Sequence, residues 1–293
     1  MTDVFVNGGG GTWVDRGEGL VPVPSIHLSE ESTRALAVRL VSVGGRHVDE
    51  STPCVDVRLT GGIRVHVVLP PVSTQGTLLS IRLPRAVPLS LADLEDGGLL
   101  DDIGDVGLRR LVAERRNLLI SGAGGSGKTT LLGALLSEAD PHDRIVLVED
   151  VAELRPVHPH VVSLETRQAN LEGVGAIDLP RLLREALRMR PDRLVVGECR
   201  GVEIRDLLSA LNTGHDGGAG TLHANGLVEV PARLEALGAL ADLSPTALAR
   251  QAVSAIDAVL HVDRREGRRR LAQVGTLALD TDGRLVARVA HAA

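Results

Sequence analysis

Leu118-Leu119-Ile120-Ser121-Gly122-Ala123-Gly124-Gly125-Ser126-Gly127-Lys128-Thr129-Thr130-Leu131-Leu132 begins on an aliphatic run, passes through a glycine-rich stretch and ends on a helix-forming run. Its spacing is Gly-x4-Gly-Lys-Thr between a strand and a helix, the pattern of a phosphate-cradling loop. The glycines let the backbone curl so that successive N–H groups converge on a phosphate at a helix N-terminus, where the dipole favours an anion. In that pattern Lys128 reaches the β- and γ-phosphates of a nucleotide, and the Thr129 hydroxyl joins the shell of a Mg2+ ion. A glycine-rich turn with no ligand accounts for the glycines but not for the lysine and threonine that follow. Lys128 is also the one lysine among 32 Lys and Arg residues. It is kept at a position where a compact ammonium differs in function from a planar guanidinium. ATP and Mg2+ are therefore the expected ligands of residues Gly122 to Thr130.

Strands and helices alternate downstream of this loop. The spacing predicts strands at Leu118–Ser121, Ile145–Glu149, Val161–Leu164, Leu194–Gly197, Ala219–His223 and Ala258–Val262. Four of these carry short, nearly continuous aliphatic runs, as strands buried on both faces do. Helices are predicted over Lys128–Glu138, Leu179–Met189, Val202–Leu211, Val228–Leu240 and Pro245–Ile256, preceded by one from Val106 to Arg116. The class is α/β with a mostly parallel sheet, in which ligands lie at the carboxyl ends of strands. Upstream, residues 1–83 read as a small α+β domain. It has short alternating strands, a hairpin at Thr60-Gly61-Gly62, and a helix beginning at a Ser29 cap. The prolines and acidic pairs of residues 84–105 read as a linker, and residues 106–293 as the nucleotide-binding domain.

A 293-residue chain with 43% hydrophobic and 24% charged residues is globular, and no apolar run is long enough to cross a bilayer. No export signal is read at the N-terminus, so the cytoplasm is the expected compartment. Cys54 and Cys199 have no metal-ligand spacing and are expected to be small buried residues. A net charge of −6 argues against a surface built to coat nucleic acid. The run Arg264-Arg265-Glu266-Gly267-Arg268-Arg269-Arg270 is expected to be a solvated hairpin turn.

Three further segments carry chemistry. Arg193-Leu194-Val195-Val196-Gly197-Glu198 is an aliphatic strand ending in a carboxylate, a type of strand expected beside the loop-bearing strand that delivers an acid to the metal or the attacking water. Glu149, Asp150 and Glu153 follow another apolar strand, and suit either a helix cap with first-turn charges or catalysis. His215 lies in a Gly-rich loop, and His223 is expected on the same sheet edge as the loop of Lys128, where an imidazole N–H can sense a γ-phosphate.

These segments, in this order, resemble the secretion and traffic ATPases of type II secretion, type IV pili and type IV secretion. Gly122 to Thr129 corresponds to their Walker A box, Glu149-Asp150 with Glu153 to the Asp box, Leu194 to Glu198 to the Walker B strand and Gly214 to His223 to the His box. Leu164-Glu165-Thr166-Arg167, Ala186 to Arg193, Asn212 to Asp216 and Thr221 to Asn225 look like the CpaF-like branch, the motors of tight-adherence pili. The likeness extends upstream to Pro53 to Arg58, Ser80 to Arg82 and Val6-Asn7-Gly8. It implies a PAS-like N-domain and a RecA-like P-loop domain, assembled as a hexameric ring with ATP between the two domains. It also implies an inner-membrane platform protein as partner, which would recruit the motor peripherally to the membrane.

By position, the resemblance makes Glu198 the residue that polarises the attacking water and Glu149 its helper through the metal–water shell. Glu198 and Glu149 would join Thr129 around Mg2+, and His223 would read the γ-phosphate. Arg167, with Arg82 or Arg85, would clamp phosphate as the domains close. The sequence departs from the branch in having Cys199 where an aliphatic residue is usual, and the helical N-terminal extension of that branch is not expected. A nucleic-acid translocase on the same core is the competing reading, but an aromatic share of 1% removes its stacking platform. A non-catalytic ATP-dependent switch is the third, and Glu198 and His223 weigh against it.

Overall fold

The computed structural model describes residues 3–16, 19–83, 87–101, 107–167 and 174–292. The chain forms two compact units, Met1–Val87 and Pro88–Ala293.

In the first unit, β1 (Asp3–Asn7), β2 (Gly11–Asp15), β3 (Leu20–Pro22), β4 (Cys54–Arg58), β5 (Arg64–Val68) and β6 (Leu78–Arg82) make an antiparallel sheet in the order β3-β2-β1-β6-β5-β4. Helix α1 (Glu30–Val43) starts where expected, with the Ser29 side chain accepting from Ser32 N–H at 3.2 Å and Glu30 and Glu31 in the first turn. Its Ala37 and Val41 pack with Val55, Val57, Val65 and Val67, the inward residues of β4 and β5. The same alternation turns Cys54 outward. It is exposed, against the expectation of burial, because a period of two places it opposite Val55.

The second unit is built on an eight-stranded sheet. Its strands are β7 (Leu118–Ser121), β8 (Ile145–Glu149), β9 (Val161–Glu165), β10 (Arg193–Cys199), β11 (Ala219–Leu222), β12 (Ala258–Arg265), β13 (Arg268–Leu279) and β14 (Leu285–Ala292). The order is β14-β13-β12-β7-β11-β10-β8-β9, parallel from β12 to β9, with β13 and β14 added antiparallel at one edge. Alternate residues of β8 enter opposite cores. Val146 and Val148 pack under α5 (Leu179–Leu187), α6 (Glu203–Leu211), α7 (Val230–Leu240) and α8 (Pro245–Ala255). Ile145 and Leu147 pack under α2 (Leu91–Asp96), α3 (Leu108–Ala113) and α4 (Lys128–Ser137). Burial on both faces explains the unbroken aliphatic runs.

Two expectations change. Residues 84–105 were read as a linker, yet Ser90 and Asp93 form a reciprocal capping box that starts α2. Leu91, Leu94, Leu99 and Leu100 bury in the core around α4, so residues 88–101 belong to the second unit; residues 84–86 and 102–105 of the expected linker lie outside the described residues. The Glu198 strand does not lie beside β7. Strand β11 is inserted between β7 and β10. At the opposite, N-terminal ends of the strands, Arg193 on β10 is buried and donates to Asp143 at 2.7 Å, and Arg115 donates to the other oxygen of that carboxylate at 2.7 Å. This paired charge ties β10 to the segment entering β8. Among the described residues, no helix is long and apolar enough to cross a membrane.

Candidate functional site

The carboxyl ends of β7, β11, β10 and β8 converge the expected residues. After β7 the chain turns through Gly122, Gly125 at φ +72° and Gly127 at φ +107°, left-handed values that favour glycine. A side chain on Gly122 would collide with the Val262 carbonyl and come within 2.6 Å of Ser126 Oγ. Ala123, Gly124 and Gly125 are exposed, Ser126 is buried, and α4 begins at Lys128. Lys128 is buried, and its Nζ donates to the carbonyls of Gly122 and Ala123, at 2.9 Å each. An ammonium has three N–H donors, so two brace the loop and a third is left for an anion. Burial pushes its pKa down, with Arg200 adding to the effect and Glu198 opposing it. Thr129 is half-buried and Thr130 exposed on the first turn of α4.

His223, just beyond β11, reaches the loop: its Cε1 lies 3.6 Å from where a side chain on Gly124 would begin. Its Nε2 pairs with Oε1 of Glu198, near the end of the neighbouring β10. Burial lowers the His223 pKa, the Lys128 charge lowers it further, and Glu198 pulls the other way. Arg200 holds the second oxygen of Glu198, donating from Nε at 2.8 Å and also from its terminal guanidinium nitrogen. Glu203 in turn accepts from the N–H groups of Arg200 and Gly201 (the latter at 2.7 Å), fixing the turn out of β10.

Glu149 closes β8 and is buried. Its Oε1 accepts from the N–H groups of Glu153 and Leu154, at 2.9 and 3.0 Å. No helix follows, so the helix-cap reading of these acids falls. Oε2 is buried with no hydrogen-bond partner among the described residues. Burial pushes this carboxyl up to about 7, against the two backbone hydrogen bonds and with the charges of Glu153 and Glu165 adding to the rise. A buried carboxylate with one unsatisfied oxygen suits a cation or its water shell. Among the described residues no group of three or more His, Cys, Asp or Glu forms a metal cage. Mg2+ held largely by phosphates and water needs only one or two carboxylates, so these residues fit it.

Of the arginines expected at the phosphates, Arg167 is the one that shares a unit with the loop, and the sheet does not bring it there. Arg167 is exposed beyond β9, the edge strand, and bridges to Ile177. Four strand spacings separate β9 from β7, about 19 Å. Arg82 ends β6 in the first unit, and Arg85 lies outside the described residues. Sequence reasoning missed Arg200, Glu203 and the buried pair Ser121–His261, whose Oγ and Nδ1 are 2.9 Å apart at the foot of the loop. It also missed Arg269, whose Nε donates to the Gly125 carbonyl at 3.2 Å. The arginine run was visible, but its register against β7 was not.

A glycine-rich loop on a central parallel strand, with an acid and a histidine paired on the next two strands, defines a P-loop α/β protein with an inserted strand. The family model described as Type II/IV secretion system protein matches residues 1–272, and the chain belongs to that family. It is 50% identical over 283 residues to a "Putative conjugal transfer protein" of Mycobacterium tuberculosis, covering 94% of this chain and 80% of that one. Its fold is similar to the VirB11 ATPase of the Brucella suis type IV secretion system in complex with sulphate, at 25% identity and a TM-score of 0.52, covering 96% and 93% of the two chains. The pilus retraction motor PilT with bound ADP has the same fold at 19% identity and a TM-score of 0.60, covering 98% of this chain and 78% of that one.

Proposed function

We propose that this chain is the ATP-hydrolysing motor of a secretion or pilus-assembly machine. The observation that carries this reading is the site's one lysine, Lys128, buried inside a P-loop whose open side meets the Glu198–His223 pair. The loop N–H groups and Lys128 hold the β- and γ-phosphates. Glu198, oriented by Arg200, polarises the attacking water, and His223 donates toward the γ-phosphate. Glu149 and Thr129 hold Mg2+, which supplies charge neutralisation on the phosphates when bound.

Arg167, Arg82 and Arg85 are proposed to complete the phosphate site on assembly, since Arg167 is remote from the loop within one chain. A homohexamer on the cytoplasmic face of an inner-membrane platform protein accounts for that need. Membership of the tight-adherence pilus branch rests on the phrases Ala186 to Arg193 and Asn212 to Asp216. The two-domain division of labour, a small N-terminal domain and a P-loop domain, is part of the same proposal. Magnesium-dependent ATP turnover by the purified protein tests it; a protein that binds no ATP in the presence of Mg2+ would contradict it.

A further inference from the structure

The γ-phosphate end of the site is marked by His223 and Glu198, and both lie on one side of β7, on β11 and β10. On the other side come β12 and then β13, and from β13 Arg269 reaches back over the loop. Its placement follows from strand geometry. Leu271 buries in the core beneath α4, so Arg269, two residues earlier, emerges on the same face, beside the α4 N-terminus. A one-residue bulge opposite His261 and Val262 sets that register. The Arg269 Nε is held by the Gly125 carbonyl, and its Cδ lies 3.2 Å from where a side chain on Gly127 would begin. Gly127 thus leaves room for the Arg269 side chain against the outer edge of the loop. Two of the neighbouring cations are engaged otherwise: Arg270 with Asp263 at 2.8 Å, and Arg264 with the Gly267 carbonyl at 3.0 Å.

A triphosphate whose γ-phosphate faces His223 runs outward across the loop, so its nucleoside leaves toward Arg269. There the base needs a flat partner. The chain's single Phe and single Trp are Phe5 and Trp13 in the first unit, and it has no Tyr. We infer that Arg269 is the base-packing residue of the nucleotide site, its guanidinium plane taking the part an aromatic ring plays elsewhere. A guanidinium over a π-face attracts it by cation–π and stacking contact, more strongly for a purine than for a smaller pyrimidine. This inference rests on the P-loop reading above and adds the nucleoside end to it.

The test compares binding of ATP, CTP and inorganic tripolyphosphate, each with Mg2+, to the wild type, Arg269→Ala and Arg269→Lys. Arg269→Ala is expected to weaken ATP about tenfold, to close the gap between ATP and CTP, and to leave tripolyphosphate unchanged. Arg269→Lys keeps the charge without the plane and is expected to stay weak for ATP. The inference is overturned if Arg269→Ala binds ATP normally, or if it loses tripolyphosphate equally. Restoration of ATP binding by Arg269→Lys would also overturn it, because charge alone would then suffice. A wild type that binds tripolyphosphate but does not prefer ATP contradicts the base site alone. One that binds neither contradicts the P-loop reading as well. Arg269 is exposed, and thermal unfolding verifies that both variants keep the fold.

Discussion

Gly197 on β10 and Glu149 at the end of β8 touch: a side chain on Gly197 would begin 2.6 Å from Cγ of Glu149 and 3.1 Å from its Oε1. The glycine is what leaves room for the Glu149 side chain against β10. Gly197→Ala must displace Glu149 from the N–H groups of Glu153 and Leu154, and the buried carboxyl has little room to relax. We expect a loss of about 1–3 kcal/mol of stability, measured by denaturant unfolding, with a fall in ATP turnover. Unchanged unfolding would show that the two strands part easily.

The raised pKa of Glu149 makes stability depend on pH. The folded form prefers the protonated carboxyl, so its contribution is full below the unfolded value, near 4.5, and is lost as pH rises through about 7. Glu149→Gln keeps an acceptor for the two N–H groups and removes the titration. It is expected to match the wild type near pH 4.5 and to exceed it at pH 8, by up to about 3 kcal/mol. His223 and His261, whose pKa values are lowered, act in the opposite direction in both proteins and cancel in the difference. Thermal unfolding of the nucleotide-free proteins across this range gives the comparison; a pH-independent difference would contradict the assignment.

Lys128→Arg preserves charge in a chain that uses arginine at every other basic position. The ammonium fits between the Gly122 and Ala123 carbonyls, and a guanidinium is wider, planar and differently directed. Turnover is expected to fall on the order of 100-fold through misplaced phosphates, with thermal unfolding little changed. A stable variant with normal turnover would remove the significance of the solitary lysine.

The strands that carry the site were legible because each is an aliphatic run ending in glycine or acid, and burial on both faces produces that signature. The inserted position of β11 was not legible, since strand order depends on crossovers that leave no mark on periodicity. β14, with Arg288 and His291 among its apolar residues, lacked a clean pattern. The P-loop, Glu198, Glu149 and His223 were candidates from local patterns, and all lie at the carboxyl ends of the parallel strands. Arg200 and Arg269 were not candidates, because what singles them out is a partner that local pattern does not show: the Glu198 carboxylate for one and the Gly125 carbonyl for the other.

Arg167 lies four strand spacings from β7, so its proposed role at the phosphates calls for a second copy of the chain. Under the proposed assembly, specific ATPase activity is therefore expected to rise with protein concentration. A dilution series followed by light scattering and turnover measures this. A flat profile in a protein shown to be monomeric would argue for a self-sufficient site.

The proposal that ATP is hydrolysed at the Lys128 loop with Glu198 polarising the water is tested most directly by Glu198→Gln, measured for ATP binding and for single-turnover hydrolysis in the same preparation. The amide keeps the shape of the side chain and removes the charge that polarises water. ATP affinity within about threefold of wild type is expected, with hydrolysis reduced on the order of 100-fold or more. Hydrolysis near the wild-type rate would contradict the account and transfer the central role to Glu149.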